Sequence, residues 1–236
     1  MTTDLPLLAT TAASIGVIHT LLGPDHYLPF AAMARARGWS AVRTAWITVI
    51  CGVGHVMGSI VLGVVGLAIG VSLDRLEWIE AARGDLAAWL LVGFGLAYAA
   101  WGLRRAWRNR PHTHAHRHAD GTLHVHEHRH QESHLHVHDA GALAITPWAL
   151  FVIFAFGPCE SLIPVLMYPA SQANWPSVAL VTLVFAVATI ATMLIAVMLM
   201  RRGLAAVGSA PLARYSHALA GSAICLCGLG ILTLGL

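Results

Sequence analysis

Long apolar stretches set the strongest limit on what this chain can become. About 20 apolar residues are what an α-helix needs to cross a bilayer. Six such stretches are counted, at 6–34, 42–71, 86–106, 147–170, 177–200 and 215–236. Only 11% of the 236 residues are charged and 57% are hydrophobic, whereas a soluble domain carries about 25% charged residues. The expected fold is therefore an all-α integral membrane protein with six transmembrane helices. No basic segment precedes the first apolar run, which begins beside Asp4, so that run reads as a retained span rather than a cleaved signal.

The basic residues give the orientation. All fourteen are Arg. Arg35, Arg37 and Arg43 lie between spans one and two. Arg104, Arg105, Arg108, Arg110, Arg117 and Arg129 lie between three and four, and Arg201, Arg202 and Arg214 between five and six. Only Arg75 and Arg83 fall on the opposite side, in a connector at 72–85 that also holds Asp74, Glu77, Glu80 and Asp85. The positive-inside rule places the Arg-rich loops in the cytoplasm and both termini outside. A net charge of +3 with its arginines beside apolar spans does not suggest nucleic acid, and none is expected as a partner. The bilayer is the expected surrounding. Cys51, Cys159, Cys225 and Cys227 lie in apolar segments without a C-x-x-C pair, so a disulfide framework is not expected.

One interruption stands out within the first span: Ile18-His19-Thr20-Leu21-Leu22-Gly23-Pro24-Asp25-His26-Tyr27-Leu28-Pro29. A carboxylate at the bilayer centre costs about 2.5–3.5 kcal/mol, and an intramembrane ionisable residue is a functional candidate by default. Broken backbone at that depth persists only where protein or a water-filled cavity surrounds it. Gly157-Pro158-Cys159-Glu160-Ser161-Leu162-Ile163-Pro164 echoes the motif in span four, its Gly-Pro pair 134 residues later. Each motif opens a three-span half, so the halves are expected to be inverted repeats with interrupted helices 1 and 4. The expected units are 1–106, a cytoplasmic loop at 107–145, and 146–236.

His19, Asp25 and His26 form the first candidate metal cluster, and two imidazoles with one carboxylate suit a late first-row divalent ion. His55, mid-span two beside the Gly54/Gly58 small-residue face, is the expected third imidazole. Glu160 holds the repeat position of His26 and is read as a ligand or as a proton-exchanging group. Cys159, Thr189 and Thr192 are candidates for lining the path or a second-half site. His217 reads as interfacial.

Eleven of the fifteen histidines fall in the loop: His112, His114, His116, His118, His124, His126, His128, His130, His134, His136 and His138. The density is a metal-binding composition. With few apolar residues, the loop is expected to be disordered without metal.

His19-x-x-x-Gly23-x-Asp25-His26 resembles the first-helix signature of bacterial secondary nickel/cobalt transporters of the UreH and HupE/UreJ types, with Thr20 where that group has Pro. Gly54-His55 resembles the second-helix His of the wider group, and the His-rich loop resembles that of RcnA-like nickel/cobalt exporters. The resemblance implies that His19, Asp25, His26 and His55 handle Ni²⁺ or Co²⁺ as cargo, with no permanently bound cofactor and no enzymatic activity. It implies cytoplasmic nickel chaperones or metalloenzyme assembly factors as partners, and it leaves direction open. No G-x-x-x-x-G-K-[ST] motif appears for nucleotide drive. Two rival readings remain at this point. One is a thiol–disulfide electron carrier of the CcdA type, suggested by Gly157-Pro158-Cys159, and the other a metal sensor or store working through the His-rich loop. An anion exporter of the sulfite type is disfavoured by the acidic midplane site.

Overall fold

A computed structural model describes residues 4–108, 112–117, 123–128, 140–157, 159, 161–172, 174–206 and 213–234. Helix dominates. In chain order the elements are α1 (Asp4–Leu22), a 3-10 turn (Pro24–His26), α2 (Leu28–Arg37), α3 (Ala41–Ala68), α4 (Leu73–Arg108), strands β1 (His112–Arg117) and β2 (Leu123–His128), α5 (Ala140–Phe156), α6 (Leu162–Ser171), α7 (Trp175–Ala206) and α8 (Ser216–Leu234).

Among the described residues, five helices are long and apolar enough to cross a membrane: Leu5–Leu22, Ala41–Gly66, Leu73–Arg108, Trp175–Ala205 and Ser216–Leu234. The apolar stretch at 147–170 is split at the Gly157 motif into α5 and α6, each short of a full crossing. The stretch at 6–34 is also split: α1 ends at Leu22, Gly23 is extended (φ −88°, ψ 96°), and Pro24 starts the 3-10 turn. Proline carries no N–H and fixes its own φ, so it can begin such a turn but cannot continue α1.

Two expectations change. The connector at 72–85 is not a separate loop; α4 starts at Leu73 and runs 36 residues without a break. Its polar residues Glu77, Glu80, Arg83 and Asp85 therefore sit at helical spacing on a continuous rod. The His-rich loop, expected to be without regular structure in the absence of metal, forms an antiparallel hairpin at 112–117 and 123–128. Its His-x-His-x alternation has the period of a strand, which explains the difference.

Two apolar clusters hold the bundle. Phe30, Met33, Trp39, Leu91, Tyr98, Leu150, Phe154, Met193 and Ile224 join α2, α4, α5, α7 and α8. Ala12, Val56, Leu162, Leu166, Val181 and Phe185 join α1, α3, α6 and α7. α4 and α8 pack backbone to backbone. A Cβ on Gly95 would strike the backbone of Cys225, and one on Gly228 would meet Ala88 O at 2.7 Å and Val92 N at 2.9 Å. Close approach through small residues is how membrane helices gain packing where lipid offers no hydrophobic drive. Large apolar side chains such as Leu183, Val187, Ile195, Leu199 and Leu226 are left on the outside, where acyl chains would cover them.

Candidate metal centre

The break after α1 brings its imidazoles together. His19 stands in the last turn of α1 and His26 closes the 3-10 turn, so the two rings meet edge to face with centroids 4.7 Å apart. α3 supplies His55, whose ring lies 5.0 Å from that of His26 and 6.4 Å from that of His19. One ligand atom from each of the three lies within 4.8 Å of the others. Metal–nitrogen bonds near 2.1 Å span about 4.2 Å between opposed ligands, so small ring rotations suffice to close the three onto one ion.

Hydrogen bonding sets the tautomers. His26 Nδ1 lies 3.1 Å from Asp25 Oδ1 and 3.1 Å from Gly23 O, both acceptors. The proton of the neutral ring therefore sits on Nδ1, and Nε2 presents a lone pair. His55 Nδ1 donates to Phe154 O at 3.3 Å, with the same result. Nε2 of His26 and Nε2 of His55 are both buried and have no hydrogen-bond partner. A buried imidazole nitrogen left bare costs free energy unless something binds it. Orientation of a ligating His through its other nitrogen is the usual outer-shell arrangement of a metal site. Gly23 makes room for it, because a Cβ there would lie 2.6 Å from His26 Nδ1.

Asp25 thus touches the cluster through His26 and is not one of the three converging ligands. It lines the same cavity of about 560 Å³ as His19, His26 and His55. That cavity opens between α1 (Ile15, Ile18, Leu22) and α4 (Ala81, Gly84, Asp85, Ala88), with Gly157 and Ser161 from the second break on its wall.

The other residues singled out from the sequence are placed as follows. Cys159 is buried, its Sγ 3.9 Å from His19 Nε2, and Ser161 Oγ lies 3.4 Å from His19 Nδ1. Thr189 is buried on α7 beside Gly16, its hydroxyl without a partner, and it does not line the cavity; nor does Thr192, which is half-buried. Glu160 lies outside the described residues, as do His118, His130, His134, His136 and His138. In the hairpin, His112 pairs in register with His128, His114 with His126 and His116 with His124, which puts six histidine positions on one face. His217 sits in the first turn of α8 and is not part of the histidine cluster: Arg37 Nε donates to Tyr98 OH at 3.1 Å, and that hydroxyl lies 2.7 Å from His217 Nδ1.

Sequence reasoning missed one group. Glu80, fully buried on α4, accepts from Ser59 Oγ (3.1 Å), from the backbone N–H of Cys159 (3.2 Å) and from Arg83 Nη1. Arg83 Nη2 in turn donates to Ala155 O at 3.1 Å. The pair therefore satisfies backbone groups that the α5–α6 break leaves open. The signal was the Glu-x-x-Arg spacing, which puts both on one helix face if the helix is taken to begin before residue 80.

These features define a helical membrane protein of several crossings with a buried three-histidine cluster at a helix break. The chain matches no family model, no curated protein and no solved structure.

Proposed function

We propose that the chain is a secondary transporter that carries a divalent transition metal, Ni²⁺ or Co²⁺, across the bacterial cytoplasmic membrane. The observation that carries this reading is the pair of unpartnered, buried Nε2 atoms of His26 and His55, facing a shared cavity with His19 in a bundle of apolar helices. Neutral imidazoles are good ligands for late first-row divalent ions and poor ones for Mg²⁺ or Ca²⁺. In this reading His19, His26 and His55 hold the ion, Asp25 fixes the His26 tautomer and offsets charge, and Glu160 is the second half's ligand or proton-exchanging group.

Supporting the six-span, inverted-repeat architecture are the two interruptions at 23–27 and 157–161, both of which contribute wall to one cavity. Midplane sites between interrupted helices are the general pattern of inverted-repeat carriers. The arginine distribution supports a cytoplasmic hairpin, whose six in-register histidine positions suit capture or delivery of the same ion. For a thiol carrier, Cys159 needs a partner thiol. Cys51 belongs to the other apolar cluster, and no disulfide joins the four cysteines.

The test is elemental analysis of cells with and without the chain, at trace and toxic nickel or cobalt, alongside His26→Ala and His55→Ala variants that remain inserted. A change in cell metal that both variants abolish is expected. Metal contents indifferent to the chain would sink the proposal.

A further inference from the structure

We propose that Asp85 is a second carboxylate of the cation cavity, and that it receives the divalent ion before Asp25 and the imidazoles do. This rests on the transporter reading above.

Ala81, Gly84, Asp85 and Ala88 all line the cavity, and their spacing of three, four and seven makes them one face of α4. Three small residues leave width, and one acid is set among them. Packing fixes its depth. Gly228 of α8 lies against Ala88 and Val92, and Ile231, about one turn further along α8, lines the same cavity as Asp85. Two residues before Asp85, Arg83 reaches the carbonyl of Ala155 at the α5–α6 break. Asp85 therefore stands on the stretch of α4 that walls the histidine cavity, not out in a connector.

Its chemistry differs from that of its neighbour acid. Glu80 is committed to Ser59, Cys159 and Arg83. Among the described residues, Asp85 has no hydrogen bond or ion pair. A lone carboxylate on an apolar helix is costly unless water or a cation attends it.

Charge completes the argument. Among the described residues, the titratable groups on the cavity wall are His19, Asp25, His26, His55 and Asp85. A bound metal requires neutral imidazoles. With the three rings neutral, Asp25 and Asp85 contribute about −2 to the cavity, which one divalent ion cancels and a monovalent ion does not. Asp85 is the exposed acid and Asp25 the half-buried one, while His26 and His55 are buried. That order of burial lets an ion exchange its water shell in steps.

The experiment is calorimetric titration of the purified full-length chain in detergent with NiCl₂ and CoCl₂. It compares wild type, Asp85→Asn, Asp85→Glu, Asp85→Ser, and the exposed control Asp74→Asn at the start of α4. Outer carboxylates of metal sites are worth about 10–100-fold in affinity. Asp85→Asn and Asp85→Ser should weaken binding by that factor, Asp85→Glu should recover most of it, and Asp74→Asn should match wild type. Helical content and melting temperature of each variant are recorded beside the titration. Binding by both neutral variants within twofold of wild type overturns the assignment, as does equal weakening by Asp74→Asn. A wild-type chain that binds neither cation overturns the transporter reading itself.

Discussion

Arg83→Met is the perturbation that most directly tests how the second break is held. Methionine keeps most of the volume and removes the charge. Three consequences follow from the contacts. Glu80, fully buried, loses its cationic partner while still facing Ser59 Oγ and the Cys159 N–H. Ala155 O loses its donor. The segment that leads to Cys159 and Ser161, which flank His19, keeps only the Glu80 contact as its tie to α4. Breaking a buried pair by deleting one partner costs about 3–5 kcal/mol, since it strands the other charge. For a chain of this size 1 kcal/mol corresponds to about 2–4 °C, so a drop of roughly 6–20 °C in melting temperature is expected in detergent. Glu80→Gln added to Arg83→Met removes the stranded charge and keeps an acceptor for Ser59. The double variant should regain at least half of the loss, a coupling typical of residues in one network. Thermal unfolding of the four proteins followed by circular dichroism gives the cycle. If Arg83→Met melts within about 2 °C of wild type, or the double variant is less stable than Arg83→Met, the account of the break is wrong.

Gly23→Ala should spare the fold and damage the site: φ −88° suits alanine, yet its Cβ would lie 2.6 Å from His26 Nδ1 and 2.8 Å from Asp25 Oδ1. Nickel affinity at least tenfold weaker with an unchanged melting curve is expected by calorimetry, and normal affinity would refute the crowding argument. Asp25→Asn should weaken binding about 10–100-fold by loosening the His26 tautomer, read in the same titration. It should also remove most transport while leaving the protein inserted, so unchanged uptake and efflux would refute its role. For the hairpin, an imidazole ligates a metal only when neutral, and the ordinary pKa for histidine is about 6.5. Lowering the pH from 7.5 to 5.5 should therefore cost a two-imidazole site about a hundredfold in affinity. A metal-to-protein ratio unchanged over that range would count against hairpin binding. Gly228→Leu would force a side chain into the α4 backbone; overpacking of about 1–3 kcal/mol should appear as a lower melting temperature, and a wild-type melt would refute the close α4–α8 contact.

Much of this site was legible because ionisable side chains are conspicuous against an apolar background. His19, Asp25, His26 and His55 each interrupt a hydrophobic run, and Gly23-Pro24 marks where α1 has to stop. The same contrast misled at 72–85. There the density of Asp74, Glu77, Glu80, Arg83 and Asp85 reads as a connector, whereas the backbone continues as helix and turns Glu80 inward. Charge pairing across three residues hides polarity that composition alone counts as exposed. The role of Asp25 was also out of reach. A carboxylate adjacent in sequence to an imidazole can ligate beside it or hydrogen-bond to it, and the choice depends on the turn geometry at 23–27.

The two helix breaks solve one problem by different means, and the difference bears on how the site could move. Interrupting a helix strands N–H and C=O groups that lipid cannot satisfy. At the first break the local chain satisfies itself: Gly23 N–H donates to His19 O, His26 N–H to Gly23 O and Tyr27 N–H to Pro24 O. His26 is thus held by its own turn. At the second break local bonds, Gly157 N–H to Ile153 O and Leu162 N–H to Cys159 O, are joined by partners from elsewhere: Ser59 Oγ and Glu80 at the N–H of Cys159 and Arg83 at the carbonyl of Ala155. The wall formed by Gly157 and Ser161 is therefore held in part by α3 and α4, while the turn that carries Gly23 and His26 is held by its own backbone bonds. Because Glu80 already neutralises Arg83, α4 can brace this wall without presenting a net positive charge to the cavity. A shift of α4 relative to α1 would move one wall of the cavity against another, which is the displacement that the proposed transport requires.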